Sequence, residues 1–111
     1  MSTPTRVTIA EARSAPLPPG RASALLLSHG SLELRWYAPV GTDNQTPHTR
    51  DEIYIVATGH GVFQREAERV TFGPGDALFV AAGEQHRFIE FSEDFAVWVM
   101  FYGPEGGECP K

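Results

Sequence analysis

Three residues of this chain, His48, Glu52 and His86, have the types and spacing to do chemistry together. His48 and Glu52 stand four apart in a segment that leads into an apolar run, so on an extended chain both side chains face the same way. His86 opens a later apolar run directly after the turn Gly83-Glu84-Gln85. Two imidazoles and one carboxylate form a ligand set for one divalent transition metal, with Fe, Mn, Ni and Zn all admissible. Such an ion polarises a bound oxygen or activates dioxygen. Each residue alone is ordinary, since a lone histidine is commonly a surface group and a strand glutamate is commonly solvated. Their weight lies in the combination.

Neighbouring residues are expected to serve a small-molecule ligand. Arg50 and Tyr54 share the extended parity of His48 and Glu52. Arg50 would attract an anionic group, or reach solvent from the mouth of the fold, and Tyr54 would offer a hydroxyl or simply pack. Gln45 joins them as a candidate substrate-binding residue. Phe88 and Glu90 share the parity of His86, which would bury Glu90 and require Arg35 or Arg50 as its partner. His29 and His60 lie beside glycines in turns and are expected in solvent.

Other chemistries find little support. Cys109 is the only cysteine, so no disulfide forms within the chain, and no serine sits in a nucleophile elbow. There is no glycine-rich phosphate loop. The net charge is −5, and residues 41–111 carry twelve acidic against five basic side chains. With no basic patch, neither nucleic acid nor an anionic membrane surface is an expected partner. The longest apolar stretch, Phe95 to Tyr102, is far short of the roughly 20 residues that span a bilayer. Met1 to Arg6 lacks the apolar core of a secretory signal, so the cytoplasm is the expected location.

Short strands are the elements that must position these side chains. The expected runs are Ala22–Ser28, Leu32–Ala38, Ile53–Thr58, Gly61–Arg65, Arg69–Phe72, Ala77–Ala81, His86–Phe91 and Phe95–Tyr102, cut by Gly- and Pro-rich turns. Eight strands at near-even spacing, with almost no helical periodicity, indicate an all-β antiparallel sandwich or barrel. Residues 1–20 read as an N-terminal arm, 21–103 as the barrel and 104–111 as a flexible C-terminal tail. Within the arm, Thr8-Ile9-Ala10-Glu11 has the spacing of a helix capping box, with an irregular arm as the alternative.

Alternation supports the strands. Leu32, Leu34 and Trp36 share one face of their run, and Glu33, Arg35 and Tyr37 share the other. The last run is apolar on both faces: Phe95, Val97, Val99 and Phe101 oppose Ala96, Trp98, Met100 and Tyr102. Burial on both faces implies a core on one side and a partner on the other, hence a homodimer. Tyr37, Trp98, Met100 and Tyr102 either line an apolar pocket or pack as core. A chain of 111 residues has a modest core, so a metal or a second subunit would add stability.

The spacing around the three ligands resembles the two motifs of the cupin family, over roughly Leu25 to Tyr102. The first motif reads Gly, five residues, His-x-His, three or four residues, Glu, six residues, Gly. His48, Glu52 and Gly59 fit its second His, its Glu and its closing Gly. The second reads Gly, five residues, Pro-x-Gly, two residues, His, three residues, Asn, and Gly75, Gly83 and His86 match it. The resemblance implies a double-stranded β-helix, the cupin jelly-roll barrel. It also implies a metal site at His48, Glu52 and His86. Departures are Val40 at the opening Gly, Thr46 at the first His, Ala81 at the Pro and Glu90 at the Asn. Thr46 matters most, because a neutral hydroxyl is a poor ligand beside an imidazole. Gln45 or Thr46 would have to reach the metal, directly or through water, to restore a fourth protein ligand. The site is therefore either an open triad or one that is fading. The family hosts dioxygenases, isomerases, decarboxylases and epimerases, so two functions stand side by side. One is a metal-dependent enzyme acting on a small oxygen-bearing metabolite. The other is a non-enzymatic binding module with weak metal or none.

Overall fold

A computed structural model describes residues 3–109. Its elements are one helix, α1 (Ile9–Ser14), and eight strands: β1 (Ala24–His29), β2 (Leu32–Tyr37), β3 (Asp51–Thr58), β4 (Gly61–Arg65), β5 (Glu68–Phe72), β6 (Ala77–Val80), β7 (His86–Phe91) and β8 (Ala96–Tyr102). The strands form two antiparallel sheets, β1-β2-β8-β3-β6 and β5-β4-β7. This is the jelly-roll, double-stranded β-helix arrangement expected from the sequence. No helix among the described residues is long and apolar enough to cross a membrane.

The core lies between the sheets. Tyr54 and Val56 of β3, Val97 and Val99 of β8, Leu78 and Val80 of β6, and Tyr37 of β2 meet Phe63, Phe72 and Phe88 of the smaller sheet. The aromatic rings interlock, with Phe88 4.7 Å from both Phe63 and Phe95. Burying such rings away from water is the main force holding the sheets face to face.

Register decides which face of each strand looks inward. Tyr37, Arg35 and Glu33 of β2 pair with Val97, Val99 and Phe101 of β8, so the polar face of β2 lines the interior. Trp36 faces outward against Trp98, with ring centroids 4.9 Å apart. There α1 covers it: Ala12, Trp36 and Ala96 form a second small cluster. The helical alternative for the arm is the one that forms. Thr8 Oγ1 accepts from the Glu11 amide, and Glu11 Oε1 accepts from the Thr8 amide.

Glu90 departs from its expected place. Val62 pairs with Glu90 but Phe63 pairs with Phe88, leaving Ile89 as a bulge in β7. One extra residue reverses the parity beyond it, so Glu90 is exposed while Phe91 packs against the core. Glu90 therefore needs no cationic partner.

Gly59, which closes the first motif, is fixed by close packing. Its φ is +88°, and a Cβ there would lie 2.5 Å from the Phe95 Cα. The β3–β4 turn thus sits directly on the turn before β8.

Candidate metal centre

Three local features bring His48, Glu52 and His86 together. Glu52 is on the inward face of β3, between Val80 of β6 and Phe101 of β8. His86 starts β7, inward like Phe88. His48 lies in the irregular segment before β3, and its carbonyl accepts from the Gly83 amide at 2.8 Å. Asp51 Oδ1 accepts from the Ala82 amide at 2.9 Å. These bonds tie the segment carrying His48 to the turn carrying His86, so two distant stretches of sequence share one corner of the barrel.

One nitrogen or oxygen from each residue lies within 4.8 Å of the others. Glu52 Oε1 is 3.0 Å from His86 Nε2 and 3.8 Å from His48 Nε2. Ligand atoms bound at about 2.0–2.2 Å to one ion lie at most about 4.4 Å apart. Both Glu52 separations already fall inside that limit, so small side-chain movements would close the cluster on an ion. His86 Nδ1 lies 3.0 Å from the Glu84 carbonyl, which places the ring proton on Nδ1 and turns the Nε2 lone pair into the site.

Burial and charge sharpen this picture. The side chains of Glu52 and His86 are 0% exposed, while that of His48 is 31% exposed. Both carboxylate oxygens of Glu52 and Nε2 of His86 are buried without a hydrogen-bond partner. A proton on His86 Nε2 would pair it with Glu52 Oε1 at 3.0 Å, whereas a cation would join all three atoms and relieve the cost of burying them. The residues present thus fit a divalent ion. Burial shifts the His48 pKa downward, more strongly than the Glu52 charge raises it. For His86 burial also pulls downward, but the Glu52 carboxylate and the Glu84 carbonyl outweigh it, and the net shift is upward.

Gln45 is drawn into the site. Its Oε1 is 3.2 Å from His48 Nε2 and accepts from the Tyr54 hydroxyl at 3.2 Å. Its amide Nε2 donates to Asp43 Oδ2 at 3.1 Å. Because a carboxylate can only accept, this bond fixes the amide with its oxygen toward the cluster. Tyr54 is fully buried, and burial together with the Glu52 charge holds its pKa well above the usual range. Thr46 is exposed on the rim.

Asp43 is the residue the sequence reading missed. It is 3% exposed and accepts from the Tyr37 hydroxyl, the Phe88 amide, and both the backbone and side-chain amides of Gln45. Nothing in the sequence distinguishes it from an ordinary loop carboxylate. Its importance comes from β7, which pairs only with β4 and so leaves the Phe88 amide free for a side-chain acceptor.

Arg50 is not brought into the cluster. Its Nη2 pairs with Glu33 Oε2 at 2.6 Å and its Nη1 donates to the Ser31 carbonyl at 2.7 Å. The expected parity does not hold because β3 begins at Asp51 and the chain bends before it. His29 and His60 are exposed, as expected.

The two sheets and the buried cluster define a small single-barrel protein with a prospective metal centre. A model of the cupin domain matches residues 34–102, and the chain belongs to the cupin family. A protein of Streptomyces coelicolor named as uncharacterized is 39% identical over 64 residues, covering 58% of this chain and 61% of that protein. The chain thus spans about three-fifths of that relative's length. Among solved structures, a protein of unknown function from Rhizobium leguminosarum is 28% identical at a TM-score of 0.65, covering 87% of this chain and 94% of that one. A cupin 2 conserved barrel domain protein from Salinispora arenicola superposes at 0.65 with 18% identity, covering 93% and 91%.

Proposed function

We propose that this chain binds one divalent transition metal (Fe, Mn, Ni or Zn) at His48, Glu52 and His86, and acts on a small oxygen-bearing metabolite as an isomerase- or dioxygenase-like enzyme. The observation that carries this reading is the set of three buried, unpartnered donor atoms on Glu52 and His86, with His48 beside them. A bound ion would supply Lewis acidity or a place to activate dioxygen. With only three protein ligands it would keep open positions for the metabolite. Gln45 presents an oxygen toward the same space, where it would accept from a ligand hydroxyl, and Tyr54 holds that oxygen in place.

Metal analysis tests the centre. After anaerobic reconstitution the native chain should hold about one equivalent of metal, and His86→Ala should hold much less. Undiminished content in His86→Ala would overturn the three-ligand site. Turnover of small phenols, diketones or sugars by the loaded protein would support the enzyme, whereas binding without turnover would assign a binding module.

We further propose that the protein is cytoplasmic and a homodimer. Trp98, Met100 and Tyr102, on the outer face of β8, stay only half-buried and leave apolar surface for a second copy. Light scattering at micromolar concentration should give twice the 12.2 kDa chain mass, and a monomeric mass would exclude the dimer.

A further inference from the structure

His48 is the only member of the cluster with exposed side-chain surface, so a ligand must approach from its side. There a cavity of about 280 Å³ opens, bordered by His48, Gln45, Tyr37, Phe101, Arg21 and Arg35. That volume is at the small end for ligand sites. Among the described residues two guanidinium groups border it and no carboxylate does, in a chain whose net charge is −5.

We propose that this cavity takes a small carboxylate, with Arg35 as its anchor beside the metal centre. The inference rests on the metal reading above for the ligand's second oxygen, but its anchor is independent of it. Arg35 is 9% exposed on the inward face of β2, level with Val99 of β8 and Tyr54 of β3. Its Nε donates to Glu33 Oε1 at 2.9 Å and its Nη1 to the Ser23 carbonyl at 3.3 Å. These bonds hold the guanidinium rigid, while Nη2 makes no hydrogen bond among the described residues. Glu33 is shared with Arg50, so the three groups together keep one positive charge.

Arg21 adds a second positive charge at the exposed rim. Farther out, Arg50, Glu33 and Glu105 line the adjoining mouth. A fixed guanidinium presents its N–H groups in the plane a carboxylate matches. Phosphate sites usually add a helix N-terminus or a glycine loop, and neither borders this cavity. The carboxylate is therefore the favoured anion.

Pyruvate and 2,3-butanedione are matched probes, since both present two adjacent oxygens and only pyruvate is charged. Calorimetric titration of the Mn(II)-loaded full chain should show pyruvate preferred by about tenfold or more. Arg35→Gln should remove most of that preference and leave 2,3-butanedione binding and metal stoichiometry unchanged. Arg21→Ala should reduce it about two- to threefold, because the exposed charge is screened. Circular dichroism checks that Arg35→Gln folds. If it does not, Arg35→Lys keeps the charge without the fork and should lose about half or more of the preference.

An unchanged pyruvate preference in a folded Arg35 variant overturns the inference. A native chain with no metal stoichiometry overturns the metal reading alone. Pyruvate binding to the metal-free chain, compared with Arg35→Gln, then decides the anchor.

Discussion

At the scale of residues, Asp43 supports the site from behind, through Tyr37, Gln45 and Phe88. It is a buried carboxylate with no cationic partner among the described residues, held by four N–H and O–H donors. Through Gln45 it fixes which atom of an amide faces the His48–Glu52–His86 cluster, and through Phe88 it completes the unpaired side of β7. Asp43→Ala should lower unfolding free energy by about 3 kcal/mol in urea titration, since it strands donors in the interior. Asp43→Asn should cost less stability, because one side-chain oxygen remains. It should still weaken metal affinity by about tenfold in chelator competition, as loss of a supporting partner does in metal sites generally. Equal metal affinity in Asp43→Asn and the native chain would show that the Gln45 orientation has no bearing on the ion.

At the scale of elements, Glu33 links β2 to the bend before β3. It accepts from Arg35 on its own strand and from Arg50 across the gap. Burial pushes the Glu33 pKa upward, but hydrogen bonds from Arg50 and then Arg35 prevail, and it falls below its ordinary value of 4.5. A carboxylate whose folded pKa is lowered contributes stability that is present above the unfolded value. That contribution disappears as the pH falls through the lower folded value. Native protein should therefore lose stability relative to Glu33→Gln as the pH is taken from about 6 to 3, read from urea midpoints. Parallel curves for the two proteins would show that the bridge contributes nothing. The pair is partly solvated, so the effect should shrink in high salt.

At the scale of the whole molecule, the barrel is two sheets whose outer surface is partly closed by α1. The apolar outer face of β8, which by sequence called for a partner, is met at Ala96, beside Trp36 of β2, by the chain's own helix, with Ala12 only 1% exposed. Arg13 adds a cation over the Trp36 ring at 5.8 Å. Ala12→Asp should undock the helix, shift tryptophan emission to longer wavelength and cost about 2–3 kcal/mol. Metal content should stay the same, because α1 is on the outer side of the sheet from the cluster. Unaltered emission and stability would show that the helix does not hold the face closed.

Local patterning determined a great deal by itself. Apolar runs between turn residues located all eight strands to within two residues at either end, since strand propensity and turn chemistry act over a few residues. The spacing of His48, Glu52 and His86 identified a cluster that the fold does bring together. Long-range pairing decided the rest. A bulge at Ile89 turned Glu90 outward, and the bend before Asp51 carried Arg50 away from the cluster. The inward face of β2 proved to be the polar one, because α1 shelters its apolar face. Asp43 and Arg35 acquired their places only through β7 and β8. Which side of a strand is inside, and which buried group needs a partner, depends on neighbours distant in the chain, and no short stretch of sequence contains them.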